Sequence, residues 1–172
     1  MFVKFIRENV YASLMLTILR IFIGWQWLNA GWSKITSGKF DASGFITGAM
    51  GKVTGEHPSV QSWWAGFLGD FALPNVGIFN ILVPWGEFLV GLGLILGTFT
   101  TFSVLMGVLM NFSYMFSGAT STNPQMLLIE IFILVAGFNG GRIGLDRWII
   151  PFLRKQIFRK KEQEVTMHSA KR

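Results

Sequence analysis

Between Ile78 and Thr98 the chain reads IFNILVPWGEFLVGLGLILGT, an apolar stretch with a single carboxylate, Glu87, near its centre. A bilayer core of ~30 Å takes about twenty residues of helix at ~1.5 Å each, which puts Glu87 roughly 13 Å from the end of the run. An ionisable group at that depth costs several kcal/mol unless it is paired, protonated or facing water, so its helix must turn it into a bundle and toward a partner. Reading outward at helical spacing, Asn80, Pro84, Glu87, Gly91 and Thr98 share one stripe. Gly86, Gly93 and Gly97 form a small-residue ridge beside it, which admits closely packed helices.

Three more apolar runs surround this one. The first, Tyr11 to Trp32, follows a basic flank with Lys4 and Arg7 that resembles the start of a signal peptide. Arg20 interrupts what would be the apolar region of such a peptide and no small-residue cleavage site closes it, so the run reads as a retained first helix. Arg20, Gly24, Trp27, Gly31 and Lys34 follow at steps of four, three, four and three and lie on one side of it. Arg20 falls roughly 13 Å along the helix, level with Glu87 in an antiparallel neighbour, and the two are expected to pair. The third run, Phe102 to Phe116, carries Gly107, Asn111, Tyr114 and Gly118 on one face, which brings hydrogen-bonding groups to the bundle interior. Met106, Met110 and Met115 read as packing. The fourth, Met126 to Phe138, holds Glu130 only about 6 Å of rise from its entrance, within reach of the headgroups.

The connections complete the outline. Ser33 to Gly77 is long and rich in glycine, with two amphipathic segments, Phe40 to Met50 and Val60 to Leu73, too short to span and suited to lie in the interface or cap the bundle. His57, in a turn-like GEHPS, is given no role. Asp146 is placed to begin the last segment as a cap, and WIIPFLRKQIFRKKEQ reads as a basic juxtamembrane helix on anionic lipid. The expected division is therefore a membrane domain over 1–161 and a disordered cytoplasmic tail over 162–172. With 51% hydrophobic and 14% charged residues, the fold class is all-α, a polytopic four-helix membrane bundle with a long extracytoplasmic first connection.

The net charge of +6 does not signal nucleic acid, because nine of the fifteen basic residues lie at or after Arg142, beyond the last apolar run. The N-terminal flank and C-terminal segment together hold eleven Lys and Arg, the long first connection three and the third connection none, so both termini are expected in the cytoplasm. Cysteine is absent, and no histidine lies in any span, which excludes disulfides, thiol catalysis, cysteine-ligated clusters and bis-histidine haem on this chain. No metal site is expected.

With Arg20, Gly24, Gly31 and Lys34 on the first helix, Glu87, Gly91 and Gly93 on the second, and Gly144-Leu145-Asp146 after the fourth, the chain resembles the DoxX/DoxD family. The resemblance covers the four spans and not the tail, and the long first connection looks more like the DoxD-type members. It implies a small four-helix protein of bacterial or archaeal cell membranes, some relatives of which serve as quinone-linked subunits in thiosulfate oxidation or in membrane oxidoreductase complexes. A quinone substrate needs an apolar pocket reachable from lipid, donors for its carbonyl oxygens and a group to carry protons. Glu87 and Arg20 are the candidate catalytic residues, and Lys34, Tyr114, Glu130 and Asn111 the candidate ligand-binding ones, in an outer-half pocket bounded by the first, second and fourth helices. The expected partners are the lipid bilayer, a quinone, an oxidoreductase subunit that supplies electrons, and further copies of the chain. A small proton-coupled carrier and a non-catalytic scaffold subunit are the alternatives, and in the scaffold Arg20 and Glu87 would serve only to fix helix register.

Overall fold

Asn9 opens the longest apolar helix by accepting hydrogen bonds from Tyr11 N and Ala12 N, and Gly38, at φ 62°, closes it. The computed structural model describes the backbone of residues 1–169 and the side chains of residues 1–157, with no strand among the described residues. Its helices are α1 (Phe2–Glu8), α2 (Val10–Ser37), α3 (Ser43–Met50), α4 (Ser62–Phe67), which continues into a π-helical turn at Leu68–Ala72, α5 (Val76–Leu96), α6 (Thr100–Phe116), α7 (Asn123–Ala136), α8 (Phe138–Gly141) and α9 (Asp146–Ser169). By length and composition α2 and α5 can each cross a membrane, and α6 and α7 are shorter apolar helices. Residues 162–169, expected as disordered tail, continue α9, in keeping with the helix-forming Lys, Glu and Gln that lead into them, while 170–172 lie outside the described residues.

Glycines set how α2 and α5 meet. A Cβ on Gly31 would collide with the backbone at Phe88 and Pro84, and one on Gly91 with the backbone of Leu28. The two helices therefore touch main chain to main chain, and antiparallel contact fixes the register: Gly24 faces Gly91 and Ile95, Gly31 faces Pro84 and Phe88, and Arg20 reaches Gly97. Contacts continue from α5 to α6, α6 to α7 and α7 back to α2. Ile23, Trp27, Leu94, Val104, Leu127 and Ile133 form part of the core they share. The outside is apolar too: Ile18, Phe22, Leu82, Leu89, Leu109 and Leu128 are all exposed. Water would not tolerate so broad a belt, and a bilayer would.

The chain ends and the loops are tied to this frame by specific bonds. The N-terminal flank forms α1 against α7 and α8, where Arg7 Nε donates to Val135 O at 2.9 Å and Asn139 Nδ2 donates to Ile6 O at 2.7 Å and Asn9 O at 3.0 Å. Asp146 does begin α9, but its carboxylate serves another helix, accepting from Phe99 N at 2.7 Å and Thr100 N at 2.9 Å. It thus satisfies the open N-terminus of α6. The long first connection folds into a roof in which α3 and the α4–π segment share a second apolar cluster of Ala42, Ile46, Ala49, Val60, Leu68 and Ala72. Polar links hold the roof down, among them Ala42 N to Asn80 Oδ1 at 2.8 Å, Lys52 Nζ to Gly118 O at 3.0 Å, and Trp64 Nε1 to Ser117 Oγ at 2.9 Å.

Candidate ligand pocket

Under the roof lies a cavity of about 470 Å³, a volume within the roughly 300–1,000 Å³ range of small-molecule sites. Phe45, Ile46, Trp64 and Phe67 come from the roof, while Trp27, Val83, Tyr114 and Met126 come from the helices beneath. The lining is largely apolar, with Lys34, Glu87 and Tyr114 the polar cluster on one side.

That cluster is built on three helices. Glu87 on α5 is buried to 2% exposure and receives two hydrogen bonds, from Lys34 Nζ of α2 to Oε2 at 2.6 Å and from the Tyr114 hydroxyl of α6 to Oε1 at 2.6 Å. Lys34 reaches Glu87 because α2 runs beyond Trp32 to Ser37, which adds more than a turn and carries the ammonium over the Gly31–Pro84 contact. Lys34 also sits 5.7 Å from the centroid of the Phe40 ring. An ammonium has three donors, so one bond to Glu87 leaves two for a ligand.

Arg20 does not pair with Glu87. The glycine-set register separates them by about eleven residues of α2, roughly 16 Å of rise. The equal depths expected from the sequence rest on an α2 that ends too early. Arg20 instead lies against Gly97 and Gly144, at each of which a Cβ would strike its guanidinium, and its Nη2 donates to Ile143 O at 2.8 Å. Leu145 N to Leu96 O and Asp146 N to Gly97 O close the same junction. Arg20 therefore belongs to the opposite end of the helices and not to the pocket.

Asn111 lies in the bundle interior, as its stripe implies, but it and Glu130 bond to each other and do not line the cavity. Glu130 is fully buried, on the face of α7 that is turned into the bundle. Its Oε1 accepts from Trp27 Nε1 at 2.7 Å and its Oε2 from Asn111 Nδ2 at 2.8 Å. This trio sits behind the pocket, with Trp27 as the wall between. Of the six candidate residues, Lys34, Glu87 and Tyr114 line the cavity, and the third apolar helix, left out of the expected boundary, supplies one of them. The segment Val60 to Leu73, expected to lie in the interface or cap the bundle, and the segment around Phe45 and Ile46 both contribute lining residues that the sequence does not single out. Trp27 lies on the same sequence stripe as Gly31 and Lys34, but nothing local announces that residues 42–49 pack against 60–72.

At the roof's edge, the hydroxyl of Ser43, followed by its amide, holds the Asp41 carboxyl below the usual carboxylate range. Among the described residues no group of three or more His, Cys, Asp and Glu is gathered to hold a metal ion.

No curated protein matches this chain, and no solved structure does. The family model of DoxX matches residues 15–119, more than half of the chain and the stretch from early α2 to just past α6 that carries Lys34, Glu87 and Tyr114, and the chain, with its apolar helices, is a membrane protein that belongs to the DoxX family.

Proposed function

We propose that this protein is a four-span membrane subunit, both termini cytoplasmic, that holds a quinone or comparable flat apolar redox ligand in the outer-half pocket under the roof. The observation that carries the reading is the Lys34–Glu87–Tyr114 cluster on the wall of a largely apolar cavity of ligand size. Reduction of a quinone takes up two electrons and two protons. The electrons come from a partner oxidoreductase subunit. This chain's residues bind, orient and handle protons: the free N–H bonds of Lys34 orient a carbonyl oxygen, its ammonium is the group that can release a proton to the reduced ligand, and the Glu87 carboxylate accepts from Lys34 and Tyr114 and so holds both in place. The aromatic lining excludes water from the ligand's ring.

The carrier alternative is less well supported, because one turn below Trp27 the fully buried Ile23, Leu94 and Val104 pack across the helices. Decylubiquinone binding to the purified protein tests the proposal. Lys34→Met and Glu87→Gln should each weaken binding about tenfold or more, the scale of losing a hydrogen bond to a charged group, while helicity by circular dichroism persists. Affinity unchanged in both variants would leave a scaffold subunit as the better reading.

A further inference from the structure

Not every glycine of α5 serves close packing. A Cβ on Gly91 would strike the Leu28 backbone, but one on Gly86 would meet only the Met110 sulfur, at 3.5 Å, an ordinary contact with the end of a flexible side chain. At that level α5 and α6 stand apart, and the gap between them is a second cavity, of about 360 Å³. Val90 and Ser103 line it as buried residues, whereas Leu82, Leu89, Phe102 and Leu109 line it and are exposed, so the groove opens toward the bilayer and not into the core. On α6 the lining runs from Phe102 to Ser113, about eleven residues and roughly 16 Å of rise. Ser113 also lines the pocket under the roof, one residue before Tyr114, so the groove and the pocket adjoin there.

We infer that this groove seats a long apolar tail carried by the pocket's ligand, which enters from the bilayer between α5 and α6 and keeps its head under the roof against Lys34, Glu87 and Tyr114. The inference rests on the reading that the pocket takes a flat apolar redox ligand, and it narrows that ligand to one dissolved in lipid. The pocket's 470 Å³ suits a substituted ring, and a tail attached to that ring has an apolar way out at Ser113. The Ser113 hydroxyl is already committed to Leu109 O at 2.8 Å, so it asks nothing of a methylene chain passing it. Met106 and Met110 have unbranched side chains that adapt to a tail of irregular shape. A tail moving from lipid into such a groove gains packing and no transfer from water, so the groove acts as a selector of tailed ligands more than as a source of affinity. Gly86 keeps it open.

The experiment compares decylubiquinone with a tailless dimethoxy-methyl benzoquinone that has the same head, on the full-length protein in detergent. The wild type should bind both, and Lys34→Met should weaken both, because the head is shared. Gly86→Leu, which places a side chain in the groove and none in the pocket, should weaken decylubiquinone about fivefold or more and leave the tailless quinone unchanged. In parallel, decylubiquinone carrying a diazirine at the end of its tail is photolysed on the wild type and the labelled residues are mapped by mass spectrometry. Label is expected on Leu89, Met106 or Leu109. This second measurement decides the matter if leucine at 86 does not yield folded protein. Gly86→Leu binding decylubiquinone as well as the wild type does, equal losses for the two quinones, or label on α3 or α4 of the roof would overturn the tail's placement and leave the pocket reading standing. A wild type that binds neither quinone removes the pocket reading and this inference with it.

Discussion

Replacing Lys34 should destabilise the protein more than replacing Glu87, and replacing both should be no worse than replacing Glu87 alone. The asymmetry follows from burial. Glu87 is 2% exposed and Lys34 28%. In Lys34→Met the carboxylate stays inside with only the Tyr114 hydroxyl for company. Breaking a buried pair in this way costs about 3–5 kcal/mol, and the partial exposure of the pair's outer end brings the figure down to about 2–4 kcal/mol. In Glu87→Met the ammonium can turn outward along its flexible stem, so the main loss is the Tyr114 hydroxyl left without an acceptor, about 1–3 kcal/mol. With Glu87 already gone, Lys34 has no pair to lose, and the double variant should match Glu87→Met. The coupling between the two sites then equals the Lys34→Met loss, about 2–4 kcal/mol. Titrating the purified protein from mild micelles into dodecyl sulfate, with helicity followed by circular dichroism, measures all four corners of the cycle. Single losses that simply add in the double variant would refute the pairing argument.

Other outcomes can be checked on the same material. Gly91→Ala should cost about 1–3 kcal/mol by forcing α5 off the Leu28 backbone, whereas Gly48→Ala, which meets nothing within 4 Å on α3, should be neutral or stabilising by up to about 1 kcal/mol in the same titration. Asp146→Ala should lose about 2–4 kcal/mol, because the Phe99 and Thr100 amides both lose their acceptor, and Asp146→Asn, which keeps an oxygen there, should lose less. A reporter fused after Arg172 should be cytoplasmic, and accessibility of that end from outside intact cells would remove both the topology and the outer placement of the pocket.

What the sequence revealed and what it concealed divide along a physical line. Glu87 advertised its need for a partner because a carboxylate in an apolar run is costly wherever the helix goes, and the inward stripe of Gly24, Trp27, Gly31 and Lys34 is a property of one helix alone. Its partner was misread because pairing depends on the register between two helices. The contacts of Gly31 with Pro84 and Phe88 and of Gly91 with Leu28 set that register, and where α2 stops, at Gly38, decides which cation arrives. The partners of Glu130 were illegible for a related reason: Trp27 and Asn111 come from two other helices, and only the packing of all three brings them to it. The roof is the least legible part. Each of its segments is too short to be stable alone, and their joint burial of Ile46, Val60 and Leu68 is a long-range event.

The turn between α5 and α6 has a consequence for how the protein is made. Gly97 at φ 64° and Phe99 at φ 46° are both left-handed, and for a phenylalanine that backbone is strained. What holds it is the Asp146 carboxylate on the Phe99 and Thr100 amides, with Leu145 N on Leu96 O, so the clamp for this turn lies 47 residues further along the chain. During synthesis α5 and α6 are therefore complete, and free to enter the membrane, before the residues that set their mutual angle have been made. The angle is fixed late, from the far end. A chain cut before Arg142 would keep every residue that lines the pocket, yet its α5–α6 hairpin would have no clamp, and Arg20 would lose Ile143, its only hydrogen-bond acceptor among the described residues.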